Sequence, residues 1–279
     1  MAKMYTPAMA KIEKKRARRK GKTKQSTPWR EAWKRLKRNR LAIAGMVILI
    51  LLILVAIFAD FIAPYGIDDQ MLKERNLPPS SKYIMGTDNY GRDIFSRVVY
   101  GTRISLPIGF ICVIIAYAIG GTLGAIAAYY GGKVDNIIMR IMDIFQSIPP
   151  MLMAIAIAAS LGNGVVNLVL AISISTMPAR SRIVRAAILT VKRNDYIESA
   201  RAIGASSTRL LVKYMLPNSI GPILTSVTFS VATAILTISS LSYIGLGITA
   251  PTPEWGSMLS AGKELMRQAP HVLIFPGLM

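Results

Sequence analysis

Apolar residues along this chain gather into long uncharged runs divided by short polar stretches, as expected of a protein whose solvent is lipid. From Leu41 to Ala59 there are 19 residues without a charge, 13 of them Leu, Ile, Val or Phe. At roughly −0.3 to −0.6 kcal/mol each, membrane insertion of that run gains about 6 kcal/mol. With about 20 residues needed per crossing, the pattern predicts helices near 41–62, 104–130, 137–161, 165–184 and 218–245, and a sixth beginning near His271. The fourth is the least regular, because its uncharged part ends at Pro178 and Arg180, Arg182 and Arg185 come after it, placed to snorkel from a helix end. Pro149 and Pro150 either kink the third helix or end an ordered turn. The chain stops at Met279, nine residues into the sixth apolar run, which reads as a truncated last span. The expected fold class is an all-α polytopic membrane protein of about six helices.

Composition agrees: 52% of residues are hydrophobic and 17% charged, against about a quarter charged in soluble domains, and mean hydropathy is +0.43. The net charge of +20 is uneven, since residues 1–40 hold 16 Lys or Arg against 2 acids. A basic tail that abuts a spanning helix marks the cytoplasmic side and attracts anionic headgroups, so membrane lipid rather than nucleic acid is its expected partner. A cleaved signal peptide is the other reading of such an amino terminus, but the apolar run is longer than a usual signal core and its basic leader runs to about 40 residues. With the amino terminus inside, Ala63–Arg103 is external with 6 basic and 5 acidic residues, and Arg180–Pro217 is internal with 8 basic and 2 acidic. The excess of positive charge falls inside both times. Residues 104–279 then form the core, with a cytoplasmic loop at 190–217.

Little here points to covalent chemistry. Gly21-Lys22-Thr23 resembles the end of a phosphate-binding loop, but the glycine required five residues earlier is Arg16 and no apolar strand precedes it. No ATPase, cofactor or metal site is expected. Cys112, the single cysteine, sits in an apolar run and reads as a small core residue. Gly120, Gly121 and Gly124, with Ala125, Ala127 and Ala128, allow close helix approach, with Gly121 and Ala125 as the small-xxx-small pair. Arg140 and Asp143, three apart on a helix, are placed for a local ion pair. As intramembrane ionisable groups they also open an alternative function, an ion-coupled secondary transporter.

The most informative stretch is Asp195–Asn218. Tyr196, Ala200 and Ile203 recur at helical spacing and predict a short helix with a narrow apolar face, Glu198 and Arg201 lying on the other side. Gly204 permits a chain reversal, Ser206 or Ser207 can cap a second helix, and Pro217 introduces the next span. The apolar stripe of such a helix needs a cover, either lipid headgroups or another protein.

Glu198-x-Ala200, three residues, Gly204 and then Leu216-Pro217 resemble the signature loop of permease subunits of bacterial ABC importers. The resemblance implies that this helix seats in a cleft of the ATPase, through Tyr196, Glu198, Ser199, Ala200, Ala202, Ile203, Gly204, Leu216 and Pro217. Ser199 stands where the family usually has alanine. Gly86-Thr-Asp-Asn-Tyr-Gly91-Arg92-Asp93-Ile-Phe-Ser96-Arg97, with Gly101-Thr-Arg103, is similar to the stretch before the second helix of the dipeptide, oligopeptide and nickel permeases. Leu241-Ser-Tyr-Ile-Gly245-Leu-Gly247 and Pro251-Thr-Pro253-Glu254-Trp255-Gly256 are similar to the external loop before their last helix. The likeness covers about residues 30–279 and is nearest to the C-type partner of two dissimilar permeases. It departs at Tyr83, where many relatives have histidine. It implies a type I importer domain in a bacterial inner membrane, a second permease subunit, two ATP-binding subunits and an external solute-binding protein, with peptide as cargo and nickel as the alternative. From the residues alone, Gly86–Asp93 reads as a capped turn in which Arg92 pairs with Asp93. Pro251, Pro253 and Trp255 read as a rigid loop with an interfacial aromatic anchor, or as a surface for the external binding protein.

Overall fold

The computed structural model describes residues 36–279, so most of the basic tail, including Gly21–Thr23, lies outside the described residues. The chain divides into two compact units, residues up to Ile53 and Leu54–Met279. Among the described residues the structure is helical, with one isolated bridge between Thr87 and Asp93.

Helix α1, Arg40–Ile57, has no buried residue, and its composition suits a crossing. After a break at Phe58, α2 (Ala59–Ile62) ends the first apolar run. Arg103 gathers this terminus: its guanidinium donates to the carbonyls of Ala56 and Ile57 and pairs with Asp60 at 2.9 Å. A cation at a helix carboxyl end satisfies otherwise orphaned carbonyls.

The second span begins ten residues before the run that the apolar pattern marks. Helix α3, Ile94–Ala116, starts at Asp93, whose carboxylate accepts from the Ser96 backbone N–H at 2.8 Å and from its hydroxyl at 2.6 Å. This cap lets Arg97 and Arg103 enter a helix that hydropathy alone breaks off. A π-helical turn at Tyr117–Gly121 leads into α4, Thr122–Tyr130. The third element is not one span but α5 (Gly132–Gln146) and α6 (Pro150–Leu161), bent by 77° where Pro149 and Pro150 interrupt the hydrogen-bond ladder.

Helix α7, Val165–Lys192, runs well past Pro178 and packs against α3, α4, α5, α6 and the last long helix. Its arginines do not mark a helix end, because Arg182 and Arg185 pair sideways with Asp143 and Asp135 of α5. The expected Arg140–Asp143 pair does not form; a partner on a neighbouring helix takes Asp143. Helices α8 (Asp195–Ala202) and α9 (Ser207–Arg209) come next, and a π-helical turn at Leu210–Met215 opens directly into α10, Leu216–Tyr243. Short helices α11 (Trp255–Gly262) and α12 (His271–Gly277) complete the described chain.

Ile108, Cys112, Leu168, Ile172, Ile238 and Leu241 form one cluster among α3, α7 and α10, which confirms Cys112 as a core residue. The closest helix approach uses Gly120 and Gly124 rather than Gly121 and Ala125. A Cβ on Gly120 would stand 2.4 Å from the Met177 carbonyl oxygen, and one on Gly124 2.1 Å from that of Ser181. Among the described residues three helices are long and apolar enough to cross a membrane, or four if α5 and α6 count as one broken span, and α7 is not one of them.

Candidate functional site

The loop joining α7 to α10 is built on one anchor. Ile197 of α8 is fully buried in a cluster with Val184, Ile188, Val191, Met215 and Ile223, and Ala200, three residues on, is buried beside the same body. The inward face of α8 is therefore Ile197 and Ala200, not the expected stripe of Tyr196, Ala200 and Ile203. Tyr196 is 41% exposed and Ile203 85% exposed. Ile197 was missed because it lies next to charged Glu198 and Asp195, where one isoleucine in a polar octet gives no periodic signal.

The outward face carries most of the residues of the family signature. Glu198, Ser199, Ala202, Ile203 and Gly204 are exposed, Tyr196 partly so, and Ala200 alone turns inward. Ser199 spends its hydroxyl on the Asp195 carbonyl at 2.9 Å, so it projects little beyond an alanine. Gly204 has φ +83°. Its N–H donates to the Arg201 carbonyl at 3.0 Å, and the Ala205 N–H donates to the Ala200 carbonyl at 3.1 Å. This paired arrangement closes a helix through a left-handed residue. It leaves Ile203 projecting and nothing of the chain within 4 Å of where a Gly204 side chain would be. Beyond it, the Ser206 hydroxyl accepts from the Arg209 N–H at 3.4 Å and restarts the helix.

Leu216 and Pro217 lie inside a continuous helical path from Ser207 to Tyr243 rather than at the start of a span. Pro217 has no N–H to donate, and the path absorbs it by widening just before, the Leu216 N–H reaching back five residues to the Leu211 carbonyl. Asn218 adds a side-chain hydrogen bond to the Tyr214 carbonyl at 2.6 Å. The helix that restarts at Ser207 thus runs into the span without a break.

Lys192 at the end of α7 is a second tie missed by sequence. Its ammonium donates to the carbonyls of Ala128 and Tyr129 at 2.9 and 2.7 Å, closing the carboxyl end of α4. The Ser219 hydroxyl, on α10, donates to the Ala187 carbonyl at 3.1 Å. Together they fix α4, α7 and α10 around the Ile197 anchor.

The remaining motifs form a separate buried network. Arg92 pairs with Asp88 at 2.7 Å, not with Asp93, which caps α3. Arg97, 3% exposed, donates to the carbonyls of Ile67 and Pro251 at 3.0 and 2.9 Å. Glu254 is fully buried, its carboxylate accepting from the N–H groups of Gly256 and Ser257 at 2.9 and 2.7 Å to start α11. Trp255 is a core residue and not an interfacial anchor: it is 3% exposed and donates from Nε1 to the Val98 carbonyl at 3.2 Å. Tyr83, also buried, donates its hydroxyl to Glu74, and Lys82 bonds the same carboxylate at 2.7 Å. Those bonds hold the Glu74 carboxyl below its usual range, the Lys82 bond contributing most. The capped turn forms, with Asp88 accepting from the Tyr90 and Arg92 N–H groups.

A bundle of long apolar helices that presents a short exposed helix on an anchored loop is the architecture of a polytopic membrane subunit. Residues 120–279 match the profile of the binding-protein-dependent transport system inner membrane component, and residues 27–79 match the N-terminal TM domain of oligopeptide transport permease C. The chain belongs to this family and is a C-type permease subunit of an ABC importer. It is 43% identical over 251 residues to the dipeptide transport system permease protein DppC of Alkalihalophilus pseudofirmus, covering 90% of this chain and 83% of the relative. It is 44% identical over 253 residues to the glutathione transport system permease protein GsiD of Pectobacterium atrosepticum, covering 90% and 84%. A chain of the inward-facing MetNI methionine ABC transporter shares the fold, with TM-score 0.55 at 19% identity over 65% of this chain and 87% of that one.

Proposed function

We propose that this subunit forms, with a second and dissimilar permease, the pathway of an ATP-driven importer of short peptides in a bacterial inner membrane, its amino terminus on the cytoplasmic side. Two separate ATPase subunits bind below, an external solute-binding protein delivers cargo above, and the chain itself hydrolyses no ATP. The observation that carries this reading is α8: a short helix pinned from behind by Ile197, with Tyr196, Glu198, Ala202, Ile203 and Gly204 turned outward. Exposed Ile203 and the bare Gly204 make a knob and a hollow suited to a protein groove. ATP-driven closure moves that groove, and the unbroken helix from Ser207 to Tyr243 carries the displacement into the spans. Only such differential contact lets the nucleotide state bias the permease. Peptide as cargo is supported by the dipeptide and glutathione permeases that this chain resembles.

The ion-coupled alternative loses its footing, since Asp143 is engaged by Arg182 and does not form the intrahelical pair on which that reading rested. Purification under mild detergent and then mass spectrometry test the proposal. Recovery of a second permease and two ATPases, with the ATPases lost on Ile203→Asp, is the expected result. A lone chain whose uptake tracks an ion gradient would overturn it.

A further inference from the structure

We propose that Arg180 is a carboxylate-binding residue inside the transport pathway, holding the terminal carboxylate of the peptide as it crosses. This rests on the peptide-importer reading and assigns a residue within it. Helix α7 is 28 residues long, about 42 Å at ~1.5 Å per residue. Arg180 stands about 22 Å from Val165 and about 18 Å from Lys192 at that rise. A hydrocarbon layer of about 30 Å centred on that helix contains Arg180. An ionisable group at such depth is retained for a partner or a pathway.

Its neighbours in sequence are neutralised and it is not. Arg182 and Arg185, three apart on one face, take Asp143 and Asp135 of α5. Arg180, two residues before Arg182, is turned by about 200° to the opposite face, where α5 offers no acid. There its guanidinium lies over the Tyr117 ring, 5.8 Å from the centroid. Its Nε is buried without a hydrogen-bond partner, and no carboxylate among the described residues pairs with it.

The surroundings carry polar groups. The Tyr117 hydroxyl donates to Ser226 on α10 at 2.8 Å, so three helices converge on this point. Tyr117 begins the π-helical turn of the second span, a feature frequent at functional sites. A planar guanidinium backed by an aromatic face suits a carboxylate approaching end-on.

The test uses the complete transporter with its binding protein in proteoliposomes, comparing parent and Arg180→Gln for uptake of one peptide as free acid and as carboxyl-terminal amide. The same binding protein serves both forms, so its own preference cancels from the ratio between variants. The expected result is at least a tenfold fall in the acid-to-amide ratio for Arg180→Gln, about 1.4 kcal/mol. The second permease still co-purifies, and Arg180→Lys recovers part of the ratio. An unchanged ratio overturns the inference. So does loss of the second permease on purification, which would assign Arg180 to an acidic residue of that subunit. Failure of the parent to take up peptide in either form would instead overturn the peptide reading.

Discussion

Replacing Gly204 separates two demands that one residue now meets, a left-handed backbone and an empty surface. At φ +83° an ordinary side chain costs about 1–2 kcal/mol, whereas asparagine adopts this region readily. Nothing of the chain lies within 4 Å of an added Cβ, so substitution meets no internal clash. Gly204→Asn therefore leaves the fold almost untouched, with a melting temperature in detergent within about 2 °C of the parent. Gly204→Val adds a β-branched side chain at positive φ and bears the full backbone cost. If α8 seats in an ATPase groove, the Asn variant inserts normally and recovers the second permease, yet its peptide uptake falls at least tenfold and ATP hydrolysis no longer responds to loaded binding protein. Normal uptake by Gly204→Asn beside a disabled Gly204→Val would refute the docking argument, since Gly204 would then serve only to end a helix.

Other expectations rest on single contacts. Asp143→Asn removes an ion pair whose side chains are about half exposed, so stability changes by less than about 1 kcal/mol and ATP-driven uptake persists; dependence on a proton gradient in the parent, lost in the variant, would favour the secondary transporter. Gly124→Ala drives a methyl to 2.1 Å from the Ser181 carbonyl oxygen, forcing α4 and α7 apart at a cost of about 1–3 kcal/mol, read as a lower unfolding temperature of the purified complex. Lys192→Met keeps the aliphatic stem but removes both bonds to the Ala128 and Tyr129 carbonyls. A loss of about 1–2 kcal/mol is expected, with faster amide exchange at the end of α4.

The apolar runs were legible because insertion is a sum over residues, and those at 41–62, 104–130 and 218–245 fall on helices long and apolar enough to cross, while 137–161 became a bent pair and 165–184 did not qualify. What the runs could not give was their ends. Asp93 adds ten residues to α3 by capping, and α7 continues through three arginines because acids on α5 meet two of them. Both effects belong to pairs of residues far apart in sequence. Arg140 and Asp143, Arg92 and Asp93, and Gly121 and Ala125 were reasonable local pairings, and in each case a better partner or a closer face was supplied by the fold. The same limit governs the candidate site. Gly204 was readable because a positive φ is written into the residue type, while Ile197 was not, its role being set by a pocket made of α7 and α10. The charges that tertiary partners absorb are those whose membrane placement is thereby explained. Arg180 is the arginine of that stretch whose partner the described residues do not supply, and a cargo carboxylate is the partner proposed for it.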